Sequence, residues 1–201
     1  YTLAQLDPHF TFNALNAIGS VIRQKDADKA YDYMLKFTKL IRSSLESTEK
    51  IAWTMAEELH FVDHYLQLQQ LRYNNQFEYV ISTNGSIDQQ IQIPKMLIQH
   101  YAENAVKHGL RHVKEGGRLS ITIGHVDTTL LIRIRDNGLG REAAAAARHA
   151  TSTGKGTEIS NSMVRLYKSR TKRGIAVTVN DLRSDQGSAI GTEVIIEIGL
   201  L

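Results

Sequence analysis

Residues 94–109 read PKMLIQHYAENAVKHG, and this stretch decides how the second half of the chain folds. The pattern predicts a helix that opens with Pro94 in its first turn and closes at Gly109, since proline suits helix starts and glycine suits helix ends. Its apolar face, which can pack on a sheet, carries Leu97, Ile98, Tyr101 and Ala105. Its polar face carries His100, Glu103, Asn104, Lys107 and Arg111. A solvated surface is the ordinary interpretation of such a face, but its oxygen donors also suit Mg²⁺ and its lysine suits phosphate.

Strand-like segments flank this helix and indicate an α+β fold. They are rich in β-branched residues and cover residues 77–82, 119–123, 130–135, 175–179 and 192–198. A further helix is predicted over residues 159–169. We therefore expect an α/β sandwich over residues 74–201.

Three glycine-containing segments adjoin these elements. Asp136 ends a strand and precedes Gly138 and Gly140. As a binding feature, its carboxylate could accept a hydrogen bond from the exocyclic amine of a base, and the glycines would let the backbone approach the plane of that base. Residues 154–157 (GKGT) are predicted just before a helix, where free amides favour phosphate. Residues 187–192 (GSAIGT) lead into the last strand. Taken singly, each segment is better explained as an ordinary loop.

The first 73 residues have the periodicity of helices. Two apolar runs, at residues 3–21 and 30–45, are separated by a polar break in which Asp26 is a predicted N-cap, and this pattern favours a helical hairpin. A third helix is expected over residues 56–72, with apolar residues on two sides. Two helices make a thin core, so we expect residues 1–48 to dimerise as a four-helix bundle.

Composition excludes several classes of protein. The chain of 201 residues has no cysteine, which rules out disulfide scaffolds, thiolate zinc sites and cysteine nucleophiles. A net charge of +3 is too weak to imply nucleic-acid binding. No window holds about 18 consecutive apolar residues, so no bilayer span is expected. The chain starts at Tyr1 without a leader, and we expect it to be a piece of a longer protein.

The order of these motifs resembles the Bergerat-type ATP-binding fold shared by histidine kinases, gyrase, Hsp90 and MutL. That order is an asparagine on a helix, then Asp-x-Gly-x-Gly, then a glycine lid, then Gly-Thr, over about residues 75–201. Residues 103–109 (ENAVKHG) are similar to the kinase form of the asparagine box. Residues 6–16 (LDPHFTFNALN) and 57–73 resemble the LytS/YehU-type sensor histidine kinases, so the likeness extends over nearly the whole chain.

The resemblance implies ATP-dependent autophosphorylation, with His9 as the phosphoacceptor. It implies that Asn104 holds Mg²⁺ with support from Glu103, and that Lys107 contacts phosphate beside His108 in the same box. It further implies that Asp136 reads the adenine amine. The remaining nucleotide-binding positions that it implies are Gly138, Gly140, Gly154, Gly156 and Thr192.

The acid that follows the histidine in many kinases is replaced here by Phe10, which leaves the general base unidentified. Asp7 points elsewhere on a regular helix unless Pro8 distorts it. Asn13, one turn after His9, is a candidate for orienting water when a partner's aspartyl phosphate is hydrolysed. His60 and His64 are spaced as a metal pair, but we interpret them as surface or structural because no third ligand is nearby.

The resemblance also implies partners: a response regulator receiver domain, and a second copy of the chain. It implies the cytoplasmic domain of an inner-membrane sensor, with membrane contact only through regions absent from this chain and no nucleic acid. Rival interpretations are a clamp-type ATPase in which Glu103 activates water, and a degenerate module that binds nucleotide or only a partner. Nucleic-acid binding is a further rival, but a solvated helix end explains most of its basic residues, Arg165, Lys168, Arg170, Lys172 and Arg173.

One position departs from the resembled pattern. The glycine box before the final helix reads Gly156-Thr157-Glu158-Ile159, so Glu158 stands where a glycine is expected close to the phosphates. A carboxylate there opposes a triphosphate, and we expect weak ATP affinity for the class.

Overall fold

The computed structural model describes residues 8–46, 50–113, 115–140 and 155–200, and it confirms an α+β fold. Three helices come first: α1 (Pro8–Arg23), α2 (Ala27–Glu46) and α3 (Met55–Arg72). The strand β1 (Ala52–Thr54) precedes α3 and pairs with β3 (Gln92–Pro94) in a small antiparallel sheet. Leu3, Leu6 and Asp7, which the sequence analysis used, lie outside the described residues.

Helices α1 and α2 pack on each other and on α3. The Asp26 side chain accepts a hydrogen bond from the Lys29 amide at 3.1 Å, which confirms it as the N-cap of α2. Phe10 is buried, and its ring stacks on Tyr65 of α3 with the centroids 4.9 Å apart. The start of α1 is therefore packed against α3 through Phe10, the residue next to His9.

Helix α3 begins with a capping box. The Thr54 hydroxyl accepts from the Glu57 amide at 3.1 Å, and the Glu57 carboxylate accepts from the Thr54 amide at 2.8 Å. The expectation that α3 packs on two sides is confirmed, because it contacts α1 and α2 as well as the later elements of the fold. Its fully buried residues include Phe61, Val62 and Tyr65.

The main sheet has five strands in the order β2-β4-β5-β7-β6, and each of the five predicted segments lies in one of them. The strands are β2 (Phe77–Thr83), β4 (Gly117–Val126), β5 (Thr129–Asp136), β6 (Ile175–Arg183) and β7 (Ala189–Gly199). Only β2 and β4 run parallel; the other pairs are antiparallel. Alternate residues such as Ile121, Ile132 and Ile196 are buried on one face, so the sheet is covered on that side by helices.

Helix α4 (Leu97–Asn104) starts three residues later than its sequence predicts. Pro94 ends β3, and Met96 adopts the left-handed conformation with φ 58°, so the proline-first prediction is wrong. The carboxylate of Glu58 from another helix starts α4 instead, as described below. Ala105–Gly109 continue as a π-helical turn, which is common at functional sites, and a short 3₁₀ turn follows.

The last helix, α5 (Lys155–Thr171), starts four residues before its predicted start at Ile159. Lys155 and Gly156 are therefore inside the helix rather than in a loop before it. A single glycine costs a helix only about 1 kcal/mol, so the favourable residues that follow can carry it. The Tyr167 hydroxyl of α5 donates to the Gln92 carbonyl at 2.7 Å and ties α5 to β3.

One continuous apolar core runs from Phe10 of α1 through α3 and α4 to the buried face of the sheet. The boundary at residues 73 and 74 stays a prediction, since α3 contributes to both ends of this core. Within the described parts of the chain, no helix has the length and apolar character to cross a bilayer.

Replacing Thr54 by alanine should lower the free energy of unfolding by about 1 kcal/mol, because the Glu57 amide loses its acceptor. Thr54→Ser keeps the hydroxyl and should retain most of the stability. Urea denaturation of the three proteins measures the difference. An alanine variant as stable as the serine variant would contradict a stabilising role for this cap.

Candidate functional site

The site is built around a buried carboxylate at the end of a central strand. Asp136 ends β5 and its side chain is 5% exposed. It accepts a hydrogen bond from the Gly138 amide at 2.8 Å and a second from the Thr192 amide, which lies opposite it on β7. Thr192 therefore joins the site through its backbone amide, a contact that the sequence analysis did not predict.

Glycines let three backbone segments meet at Asp136. A Cβ on Gly109 would lie 2.6 Å from an Asp136 oxygen, and a Cβ on Gly138 would collide with the Gly109 backbone. A Cβ on Gly191 would collide with the Asp136 carbonyl, and Gly191 has φ 141°, a region that favours glycine. The end of the α4 segment, the loop after β5 and the start of β7 thus pack backbone to backbone around one carboxylate.

Burial raises the pKa of Asp136 to about 6, and the Gly138 and Thr192 amides oppose this by favouring the ionised form. The carboxylate is ionised above that pH and then presents a hydrogen-bond acceptor surrounded by backbone. Such a group suits an exocyclic amine on a planar ring that enters between the glycines. Gly140, with φ 75°, packs near Ala189 at the edge of this region.

The polar face of α4 and its π-helical turn carries the second part of the site. Glu103 pairs with Lys107 one turn later and accepts a hydrogen bond from the Gln99 side chain at 2.7 Å. The Asn104 side-chain amide donates to the Nε2 atom of His100 at 3.2 Å, which leaves its carbonyl oxygen available. Burial lowers the pKa of His100, so its ring is neutral and can accept that bond. Gln99 and His100 support this face, and the sequence analysis assigned neither of them a role.

These side chains fit a hard divalent cation. Asn104 offers a carbonyl oxygen and Glu103 a carboxylate, and both are the oxygen donors that Mg²⁺ prefers. Lys107 lies beside them as a point charge. His108 is half-buried in the same π-helical turn. Within the described ranges, no three histidine, aspartate or glutamate side chains gather as a metal centre, and the rings of His60 and His64 are 6.5 Å apart.

His9 is exposed near the start of α1 and is held by Asn13 one turn later. The Asn13 amide nitrogen is 3.0 Å from Nδ1 of His9, so it donates to the ring. Asn13 thus lies beside His9 on the helix, and its predicted role in orienting water stays a prediction. Phe10, beside His9, stacks on Tyr65, whose pKa is raised by burial and by the Glu103 carboxylate.

Part of the predicted glycine loop lies outside the structure's described residues. Gly154 belongs to the range 141–154, which is not described, and Gly156 lies in the first turn of α5. The side chain of Glu158 is likewise not described, so the expected clash with phosphate stays a prediction. Of the basic cluster on α5 and after it, Arg165, Lys168, Arg170 and Lys172 are exposed.

Two buried charged residues near the start of α4 were not predicted as site residues. Glu58 is fully buried and Lys95 is 2% exposed. Burial raises the pKa of Glu58 to about 7, against the opposing effects of three backbone amides and of Lys95. Burial lowers the pKa of Lys95 to about 8, against the opposing charge of Glu58. The sequence did contain one signal for Glu58: two glutamates stand together at positions 57 and 58, and the capping box uses only Glu57, which leaves Glu58 for another contact.

A sequence model described as histidine kinase matches residues 1–77. The sensor protein LytS of Staphylococcus epidermidis is 33% identical over 198 residues, which cover 95% of this chain and 32% of that protein. The sensor histidine kinase BtsS of Escherichia coli K12 is 34% identical over 134 residues, which cover 67% of this chain and 23% of that protein. The chain thus spans a third or less of the length of these relatives.

Among solved structures, the mycobacterial sensor histidine kinase MprB is similar in fold. Its TM-score is 0.50 at 17% identity, and the match covers 75% of this chain and 99% of that one. At this identity the likeness concerns the fold alone.

Asp136→Asn should change the pH dependence of stability. The folded chain holds the Asp136 proton up to about pH 6, whereas the unfolded chain releases it near 3.8, so wild-type stability falls as the pH rises between these values. Asparagine does not titrate, so the stability of the variant does not fall for this reason over that pH range. Its stability relative to wild type should therefore improve by up to about 3 kcal/mol between pH 4 and pH 7.5.

Chemical denaturation at several pH values measures this difference. A constant difference between the two proteins across the range would show that Asp136 titrates normally in the folded chain.

Proposed function

Because the chain belongs to the LytS-like sensor histidine kinases, we propose that it transfers the γ-phosphoryl group of ATP to His9 and then to an aspartate of a response regulator. The observation that carries the proposal is the buried Asp136 carboxylate between three close-packed backbone segments. Such a pocket fits a purine amine, and the polar face of α4 lies next along the same segment. The whole sensor's stimulus and output belong to parts of the relatives that this chain does not span.

The base pocket selects adenine through one acceptor and a close-fitting wall. Asp136 accepts from the exocyclic amine, while the amides of Gly138 and Thr192 keep the carboxylate oriented. Gly109, at the end of the π-helical turn that follows α4, packs against Gly138 in the loop after β5. This contact fixes the position of the proposed phosphate site relative to the proposed adenine site. Gly140 and Gly154, with Gly156 in the first turn of α5, complete the nucleotide-binding segments in this proposal.

The triphosphate lies along Glu103, Asn104 and Lys107. Mg²⁺, when bound, neutralises charge on the phosphates, and the Asn104 oxygen would hold it with Glu103 behind its waters. Lys107 is already placed by Glu103, and it turns to the phosphates when they arrive. His108 lines the same turn.

Phosphoryl transfer then needs position more than covalent chemistry from the protein. A ring nitrogen of neutral His9 attacks the γ-phosphorus; the N–P bond forms, the bond to the β-phosphate oxygen breaks, and ADP leaves. The ring proton passes to solvent, to which His9 is exposed. Asn13 keeps the ring from rotating, and it is also the group we assign to water orientation when the aspartyl phosphate is hydrolysed.

We propose that residues 1–73 form the dimerisation and phosphoacceptor part and residues 74–201 the ATP-binding part. An apolar stripe with no partner in the described chain supports a homodimer. Its exposed members on α1 and α2 are Phe12, Leu15, Ile22, Tyr31, Met34, Leu35 and Leu45. The relatives are named as sensors, so we place the chain in the cytoplasm, as part of an inner-membrane sensor that signals to a receiver domain.

His9→Gln should abolish covalent labelling by γ-labelled ATP and change ATP affinity less than twofold, because in this proposal His9 belongs to the phosphoacceptor part and not to the ATP-binding part. His125→Gln, at another exposed histidine, is the control and should label as wild type. The label should survive alkali and be lost in acid. ATP hydrolysis without labelled protein would instead identify a clamp-type ATPase.

Ile22→Glu should shift the chain from dimer to monomer, since it places a charge in the apolar stripe of α1. Val126→Glu is the matched control, because Val126 on β4 has the same exposed fraction of 57%. Light scattering across a concentration series measures the mass. If the two variants have equal masses, α1 does not form part of the dimer interface.

A further inference from the structure

A buried carboxylate from α3 holds the start of the helix that carries the phosphate-binding side chains. Glu58 is 0% exposed, and its Oε2 atom accepts a hydrogen bond from the Met96 amide at 2.8 Å. Its Oε1 atom accepts from the Ile98 amide at 2.8 Å and from the Gln99 amide at 3.1 Å. Three amides at the first turn of α4 therefore end on one carboxylate that is about 40 residues away in sequence.

Helix α4 has no cap of its own. Met96 is left-handed with φ 58° and makes no side-chain capping bond. The helix has eight residues, so Glu103 and Asn104 lie only two turns from its start. A shift at the first turn is transmitted directly to those two side chains, because a helix this short moves as a unit.

Lys95 ties the same point to α2. Its ammonium donates to the Ser44 carbonyl at 3.3 Å and lies 5.1 Å from the centre of the Trp53 ring. Ser44 is close to the C-terminal end of α2, where backbone carbonyls attract a cation. The opposite charges of Glu58 and Lys95 thus join α2, α3 and the start of α4 within the protein interior.

We propose that Glu58 is a positioning residue for phosphoryl transfer, which fixes the start of α4 and thereby the placement of Glu103, Asn104 and Lys107 relative to the phosphoacceptor helices. Lys95 completes this junction by holding α2 to it. The inference rests on the proposed function for the identity of the reaction. Glu58 itself contacts no base-pocket residue among its described hydrogen bonds, so its effect on phosphates and on adenine should differ.

Glu58→Gln tests this because the two side chains have the same size. One arm of the amide is a donor, so it cannot accept from the backbone amides that face it, and the Lys95 charge loses its counterpart. Glu57→Gln is the matched control, since it neutralises the neighbouring carboxylate while glutamine still serves in a capping box.

Three measurements on the full chain separate positioning from general stability. They are the affinity for adenosine, the affinity for ATP, and the initial rate of labelling at saturating γ-labelled ATP. For Glu58→Gln we expect adenosine affinity within twofold of wild type, ATP affinity reduced about tenfold, and a labelling rate reduced more than tenfold. Glu57→Gln should match wild type in all three.

A general loss of stability would weaken adenosine and ATP binding to a similar degree, so it would not produce this difference between the two ligands. If adenosine and ATP weaken equally, or if both affinities and the rate stay at wild-type values, Glu58 is only a structural residue and the proposal is overturned. Should Glu58→Gln fail to fold, the double variant Glu58→Gln with Lys95→Met removes the uncompensated charge and receives the same three measurements, judged by the same criteria. A wild-type chain that binds ATP without labelling refutes the proposed function, while the two affinities still decide the role of Glu58.

Discussion

The structure depends on the fact that a helix of eight residues is fixed at both ends by groups from elsewhere in the chain. At its start, the Glu58 carboxylate accepts hydrogen bonds from the amides that the helix leaves open. Beyond its end, Gly109 packs against the backbone of Gly138 so closely that no side chain fits. Because both supports are rigid, the side chains between them have little freedom to move along the helix axis. This element, together with the direct contacts of α3 with β2, joins the helical part of the chain to the sheet.

Both key carboxylates are buried, and both have raised pKa values because water is excluded. Their surroundings differ. Glu58 accepts hydrogen bonds from three backbone amides, so most of its acceptor capacity is used within the protein. Asp136 accepts from two amides and retains capacity on the side of the glycine cradle. A buried acceptor with unused capacity suits a ligand, whereas one that is occupied mainly by backbone amides suits a structural junction.

Sequence patterns predicted the elements whose signals are local. The five strands were recognised by β-branched runs, the N-cap by Asp26, and Asp136 by its place between a strand and two glycines. The start of α4 was predicted wrongly because the deciding acceptor, Glu58, comes from another helix and leaves no local signal at Pro94. The joining of Thr192 to Asp136 through an amide was missed for a similar reason, since it depends on the register of β5 against β7. Sequence patterns predict features that depend on residues close together in sequence, whereas these contacts join segments that are far apart in sequence.

The one tryptophan of the chain lies at this junction. Trp53 is 3% exposed, with the Lys95 ammonium 5.1 Å from its ring and the Phe61 ring 5.0 Å away. The emission wavelength of an indole responds to the electric field of a nearby cation and to water. Intrinsic fluorescence therefore reports on the contact between the helical hairpin and the start of α4 with no added label. Trp53 is therefore an intrinsic fluorescence probe of this junction.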